Sequence, residues 1–250
     1  MNELPGIAMQ RAPDRLNRIE IPSQWNKQLE PIRPFANNLT MFLGTSGTGR
    51  DSLLEGVLQR DSSYQRLRRI TTRPARDEFE INKIISGVPL DKFETQAQTF
   101  NIICTNRYVA NNQLYGIPIS ELTKLTTGKC LLEGTNELLP LKSLLPESRL
   151  FLIVPQNFTQ VATQLTNRDG SAYETESRLT RAKRELVSLI SGVASLCEQG
   201  FINGVIENIS PIEEGVIKAI SQIQKNEIRQ AIPQQLNCDV QSYLSTWSPV

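Results

Sequence analysis

The chain has 250 residues, 39% of them hydrophobic and 21% charged, with a formal charge of +1. That is enough apolar material for a packed core. It is too little net charge to draw in nucleic acid or an anionic membrane, so any anion binding must come from local clusters. There is no histidine, and the four cysteines (Cys104, Cys130, Cys197 and Cys238) form no C-x-x-C pair. Ser-His-Asp and Cys-His hydrolases are thereby excluded, and a zinc site of the usual Cys/His type is not expected. Cysteines scattered in this way are expected to be small, buried and reduced.

Residues 1–38 carry Pro5, Pro13, Pro22, Pro31 and Pro34 with little apolar periodicity. They read as a flexible N-terminal arm with a short helix near Gln24–Leu29. No signal peptide or membrane-length apolar run is visible. The longest such runs are strand-sized, as at Leu150–Val154, and a soluble cytoplasmic protein is expected.

The folded domain is expected over residues 39–228. It opens with the apolar run Leu39-Thr40-Met41-Phe42-Leu43 and passes into Gly44-Thr45-Ser46-Gly47-Thr48-Gly49-Arg50-Asp51. Leu53, Leu54, Val57 and Leu58 then recur at helical spacing, so a helix starts near Asp51. Further strands are expected at Asn101–Thr105, Cys130–Glu133, Leu150–Pro155 and Phe201–Glu207. Helices are expected at Asn157–Thr166, Glu174–Ile190 and Pro211–Ile228. Strands alternating with helices of this length predict an α/β fold, a parallel sheet with helices on both faces. The shorter, more polar pieces from Ile81 to Ile119 read as an insertion. Residues 229–250 read as a C-terminal tail docked by Trp247.

Strand, glycine loop and helix in succession are the context of a phosphate loop, G-x-x-x-x-G-K-[ST]. Gly44, Gly47 and Gly49, with Thr45, Ser46 and Thr48 between them, would wrap the phosphates of ATP beneath the helix N-terminus. Arg50 stands in the lysine position, Asp51 in the hydroxyl position, and Ser52 follows. Arginine is longer and planar and is not equivalent to lysine, although it can still neutralise charge on a transferring phosphoryl group. Asp51 and Ser52 are the candidate Mg2+ ligands, and Asp51 also brings negative charge close to a polyphosphate. A tight turn with no ligand is the alternative reading.

Arg66, Arg68, Arg69, Arg73 and Arg76 cluster around Thr71-Thr72-Arg73-Pro74-Ala75-Arg76. Such a run is ordinarily a solvated surface. Lying downstream of a phosphate loop, however, it resembles the acceptor-phosphate clamp of guanylate kinases, T-T-R-x-P-R. The resemblance extends over residues 39–225. Leu114-Tyr115-Gly116-Ile117 is similar to the family's Y-Y-G-T segment. Leu165-Thr166-Asn167-Arg168 with Ser177-Arg178-Leu179 resembles its lid (about 164–180), and the acceptor-binding insertion would cover about 72–119. The branch most similar is ribose 1,5-bisphosphate phosphokinase, whose loop G-P-S-G-x-G-K-D-S-L-L matches Gly44–Leu54 apart from Arg50. Leu131-Leu132-Glu133-Gly134-Thr135-Asn136 also resembles a segment of that branch. The chain departs from the family at Arg50, at Gln164 in the first lid-arginine position, and at Arg69 where a serine precedes Thr-Thr-Arg. The positions implied for guanine recognition fall near Asn106 and at Ile117, neither of which fits.

The resemblance implies an ATP- and Mg2+-dependent phosphotransferase acting on a small phosphorylated acceptor. Arg50, Arg168 and Arg178 would be catalytic. Arg73, Arg76, Tyr108, Tyr115 and Glu133 would bind the acceptor, with Glu133 also a candidate for magnesium binding or proton abstraction. The second reading is a catalytically weak or inactive nucleotide-binding module that recruits a protein partner through residues 1–38 or the tail.

Overall fold

A computed structural model describes residues 21–108, 112–135, 137–169, 172–209, 211–225, 232 and 234–245. The chain divides into two compact units. Unit 1 comprises residues 1–41 and 62–149, and unit 2 comprises 42–61 and 150–250.

Unit 1 begins with helix α1 (Ser23–Leu29), entered from Pro22 in an extended conformation. Trp25 and Leu29, one turn apart, are both buried. A 3-10 turn over Arg33–Asn38 follows, with Pro34 in its first turn, where a missing N–H costs nothing. Ile32 and Ala36 are buried and Asn38 Nδ2 donates to Leu125 O at 2.9 Å. The stretch 21–38 expected as a flexible arm is therefore packed structure in this unit. The apolar i, i+4 pair Trp25/Leu29 outweighs the proline count. Residues 1–20 lie outside the described residues.

Strand β1 (Leu39–Leu43) is buried at every position, as a central strand covered on both faces must be. Its first three residues belong to unit 1 and its last two to unit 2. Helix α2 (Arg50–Arg60) leads to β2 (Tyr64–Arg66) and β3 (Arg69–Thr71). Then come β4 (Ile84–Ile85), α3 (Leu90–Gln98), β5 (Ile102–Tyr108), β6 (Gln113–Pro118), α4 (Ile119–Leu122), β7 (Lys129–Gly134), α5 (Leu138–Leu144) and β8 (Arg149–Pro155). Helices α6 (Phe158–Asp169) and α7 (Ala172–Glu198), strand β9 (Gly204–Asn208) and helices α8 (Ile212–Lys225) and α9 (Gln234–Ser245) complete the chain. The main sheet has the order β2-β7-β1-β8-β9. The β2·β7 pairing in unit 1 and the β8·β9 pairing in unit 2 are parallel. This is the α/β parallel-sheet fold the alternation of strands and helices predicts.

The insertion in unit 1 contains a second sheet, β4-β3-β6-β5. Here β3·β6 and β5·β6 are antiparallel, while β3·β4 is parallel. Only four residues separate β5 from β6, and so short a connection can join two paired strands only head to tail. Ile70, Phe93, Ala97, Ile102 and Leu114 form this sheet's own core beneath α3.

In unit 2, α2 buries Leu53, Leu54 and Val57 and packs on α8. A Cβ at Gly56 would overlap Val216, so glycine is what permits that approach. Residues 234–245 of the expected tail are helix α9, with Leu236 and Val240 buried. Trp247 lies outside the described residues. Among the described residues no helix is long and apolar enough to cross a membrane.

Candidate functional site

The glycine loop of unit 2 has the geometry of an anion cradle. Gly47 and Gly49 have φ of +80° and +76°, left-handed values that favour glycine. A Cβ at Gly47 would come within 2.9 Å of Val161 Cγ1, and one at Gly49 would overlap Asn208 Nδ2. Thr48 braces the loop from within, its hydroxyl donating to Thr45 O at 2.9 Å. Asn208, at the end of β9, donates through Nδ2 to Thr48 O at 2.9 Å. Helix α2 starts at Arg50 with Gly49 as its N-cap and without a side-chain cap bond. Its first-turn N–H groups have no acceptor inside the helix and carry the positive end of the helix dipole. The Thr45 hydroxyl is buried with no hydrogen-bond partner. A helix N-terminus behind a glycine loop suits a ligand that presents acceptor oxygens.

Arg50 does not extend as a lysine would. Its Nη1 donates to Gly44 O, which folds the guanidinium back on the loop that carries it. Asp51 lies in the first turn of α2 and is half-buried, and Ser52 is exposed. A carboxylate and a hydroxyl are hard oxygen donors of the kind Mg2+ takes, completing its shell with phosphate oxygens and water. Among the described residues no cluster of three or more Asp, Glu, Cys or His side chains forms a cage. Asp51 and Ser52 offer two such oxygen donors. Arg178 is half-buried on α7. Arg168 falls on α6, but its side chain lies outside the described residues.

Unit 1 brings Arg73, Arg76 and Tyr115 together. Arg73 donates from Nε to Tyr115 Oη at 3.1 Å and from Nη2 to Glu80 Oε1. The backbone N–H of Arg76 donates to Glu80 Oε2 at 2.7 Å, and its Nη1 lies 3.8 Å from Oε1. Thr71 Oγ1 accepts from Arg73 N at 3.1 Å, which fixes the turn that presents the arginine. Burial alone would lower the Arg73 pKa, but the Glu80 carboxylate and the Tyr115 hydroxyl outweigh it and raise it. Burial likewise pushes the Glu80 carboxyl up, and Arg73 with the Arg76 N–H holds it below its ordinary value. Tyr108 ends β5 with its side chain outside the described residues.

Glu133 is not an exposed strand-end charge. It accepts from Arg69 Nη2 at 2.6 Å, and Arg69 Nη1 donates to Glu137 Oε1 at 2.7 Å. The Arg69 guanidinium also lies 5.7 Å from the Tyr115 ring centroid. Glu137 is fully buried and accepts from Thr135 N at 3.0 Å and from the Thr135 hydroxyl. Arg69, read in the sequence only as a departure from a serine, therefore joins the strand-end carboxylates to the tyrosine of the arginine clamp.

Sequence reasoning missed Glu80, Glu137 and Asn208. Glu137 and Asn208 meet Arg69 and Thr48 far along the chain, and no pattern marks them. The Asp77–Glu80 spacing is the one local signal. Asp77 Oδ1 accepts from Glu80 N at 2.8 Å, a capping arrangement legible from the acidic residues three apart.

No family model matches the chain. A guanylate kinase of Nostoc sp. is 26% identical over 160 residues, 61% of this chain and 78% of that protein. A guanylate kinase of Gloeobacter violaceus is 30% identical over 154 residues, 60% of this chain and 74% of that one. Among solved structures, guanylate kinase from Anaplasma phagocytophilum superposes with a TM-score of 0.48 at 20% identity, covering 75% of this chain and 83% of that one. With the glycine loop and the parallel strands in place, identity of 30% across 74% of the Gloeobacter violaceus protein makes this chain a member of the guanylate kinase family.

Proposed function

We propose that the protein is an ATP-dependent phosphotransferase whose acceptor already carries a phosphate. Family membership supports nucleotide-kinase chemistry. The observation that carries the reading is the pair of anion-directed devices, one in each unit: the α2 N-terminus that opens from the glycine loop, and Arg73, bonded to the Tyr115 hydroxyl, with Arg76 beside the same Glu80 carboxylate. Magnesium-bound ATP supplies the transferable γ-phosphoryl group. The glycine loop would hold its phosphates, and Asp51 and Ser52 would offer oxygens to the ion. Arg73 and Arg76 would neutralise the acceptor phosphate, exchanging Glu80 for a phosphate oxygen. Phosphoryl transfer needs positioning and charge neutralisation more than a strong base, so a chain without histidine can perform it.

For the acceptor we favour ribose 1,5-bisphosphate. The loop sequence through Asp51-Ser52-Leu53-Leu54 supports that branch. Asn106, a neutral amide buried on β5, and Ile117, buried on β6, argue against a purine site of the guanine type. The reading is tested by ADP release from Mg-ATP with ribose 1,5-bisphosphate, GMP or no acceptor. Release that depends on ribose 1,5-bisphosphate and needs more of it in Arg73→Ala supports it, and release only with GMP overturns the acceptor assignment.

One observation favours a second reading, a nucleotide-binding module of little or no activity. The Arg50 guanidinium is engaged by Gly44 O of its own loop. ATP binding without ADP release under any acceptor would establish that alternative.

A further inference from the structure

The C-terminal helix α9 lies far along the chain from the glycine loop, yet unit 2 connects the two by a continuous path. Phe158, the first residue of α6, donates its N–H to Asp239 Oδ2 at 2.7 Å. Gln235 Nε2 holds the other carboxylate oxygen at 3.0 Å. Leu236 and Val240, both buried, anchor α9. Within the first turn of α6, Gln160 donates from Nε2 to Asn208 O at 3.0 Å, and Asn208 Nδ2 in turn donates to Thr48 O at 2.9 Å. Val161 and Leu165 of the same helix form the wall that a Cβ at Gly47 would meet at 2.9 and 3.1 Å.

The start of α6 does not need Asp239 merely to exist. Asn157 Oδ1 already accepts from Gln160 N at 2.8 Å, and Gln160 Oε1 accepts from Gln156 N at 2.7 Å, a local cap built from neighbouring residues. Asp239 adds a tether from a distant segment, with its negative charge set at the positive end of the α6 dipole. Since α6 contributes both the packing over Gly47 and the Gln160 link to Asn208, a shift at its N-terminus is felt in the loop.

We propose that Asp239 is a positioning residue for the phosphate loop: through α6 and Asn208, helix α9 holds residues 44–49 in their binding geometry. The consequence for affinity rests on the reading of that loop as a nucleotide site, whereas the mechanical link does not. The test is hydrogen exchange by mass spectrometry on the full chain, alongside ADP titration, for wild type, Asp239→Ala, Asp239→Asn and Gln160→Ala. Losing one cap-type bond corresponds to about a five-fold change. Asp239→Ala should therefore speed exchange about five-fold in peptides spanning 44–49 and 156–165, and weaken ADP by a similar factor. Strands 102–108 of unit 1 should be unaffected. Asp239→Asn, which keeps an acceptor oxygen, should restore most of the protection, and Gln160→Ala should loosen 44–49 while α9 stays protected. Unchanged exchange at 44–49 in Asp239→Ala overturns the proposal, as does equal acceleration throughout the chain. If wild type fails to bind ADP, the nucleotide reading falls, and the exchange data still decide the tether.

Discussion

Glu137→Ala is the sharpest stability perturbation the fold offers. The side chain is 0% exposed, accepts from Arg69 at 2.7 Å and takes both donors of Thr135. Truncation takes away the acceptor to which the Thr135 N–H and hydroxyl donate, and one of the carboxylates that face Arg69. Each stranded donor costs about 1–3 kcal/mol, and removing one partner of a buried pair about 3–5 kcal/mol. Glu133 still holds Arg69 at 2.6 Å, so the lower end applies and about 3 kcal/mol is expected. Urea unfolding at pH 7 measures it as a fall in the midpoint with an unchanged slope. The double variant Arg69→Met/Glu137→Leu should lose less than the sum of its single changes, because the Arg69–Glu137 pair is then removed whole and only the Arg69 contact to Glu133 is lost besides. Burial pushes the Glu137 carboxyl up, but Arg69 and Thr135 outweigh it and hold it below 4.5. A carboxyl lowered in the folded state contributes its full stability above its unfolded pKa and loses it as pH falls through the folded value. The gap between wild type and Glu137→Gln should therefore be full above pH 4.5 and narrow below it. A cost for Glu137→Ala under about 1 kcal/mol, or strict additivity in the double variant, would refute this network.

Other perturbations separate the two anion devices. Gly49→Ala forces an alanine to φ near +76° and pushes aside Asn208, the anchor of Thr48 O. A cost of about 2 kcal/mol is expected, read as a melting-temperature fall together with weaker ATP in calorimetry. Arg73→Ala removes a charge-assisted contact of about 1.5–3 kcal/mol, so the KM for the phosphorylated acceptor should rise at least ten-fold while the KM for ATP holds. Arg50→Ala should weaken ATP about ten-fold in the same titration. Arg50→Lys should raise kcat if the folded-back guanidinium is what limits turnover.

Much of the main sheet was legible because its signals are local. Leu39–Leu43 runs into glycines, and Leu53, Leu54 and Val57 repeat at helical spacing, so β1, the loop and α2 follow from neighbours in sequence. The insertion was less legible. Its strands are as short as two or three residues, too brief for a period to show, and their pairing is set by the β5–β6 hairpin. The short helix expected near Gln24–Leu29 is α1, but the prolines around it masked the burial of Trp25 and Leu29 that packs it into unit 1. For the candidate site, the glycines and the Thr-Thr-Arg segment announce anion chemistry by composition. The counter-ions do not: Arg69 meets Glu133 and Glu137 across 64 and 68 residues, and Asn208 meets Thr48 across 160. Such pairings are fixed by tertiary packing, which no local pattern encodes.

The central claim is transfer of a phosphoryl group from ATP to an acceptor phosphate. It is tested most directly by 31P NMR of the protein incubated with Mg-ATP and ribose 1,5-bisphosphate. The account predicts growth of ADP resonances together with a new phosphoanhydride pair on the acceptor, present with wild type and slower with Arg73→Ala at acceptor concentrations below its raised KM. ATP that persists unchanged beside unaltered acceptor, in a sample where calorimetry shows both ligands bound, would contradict it.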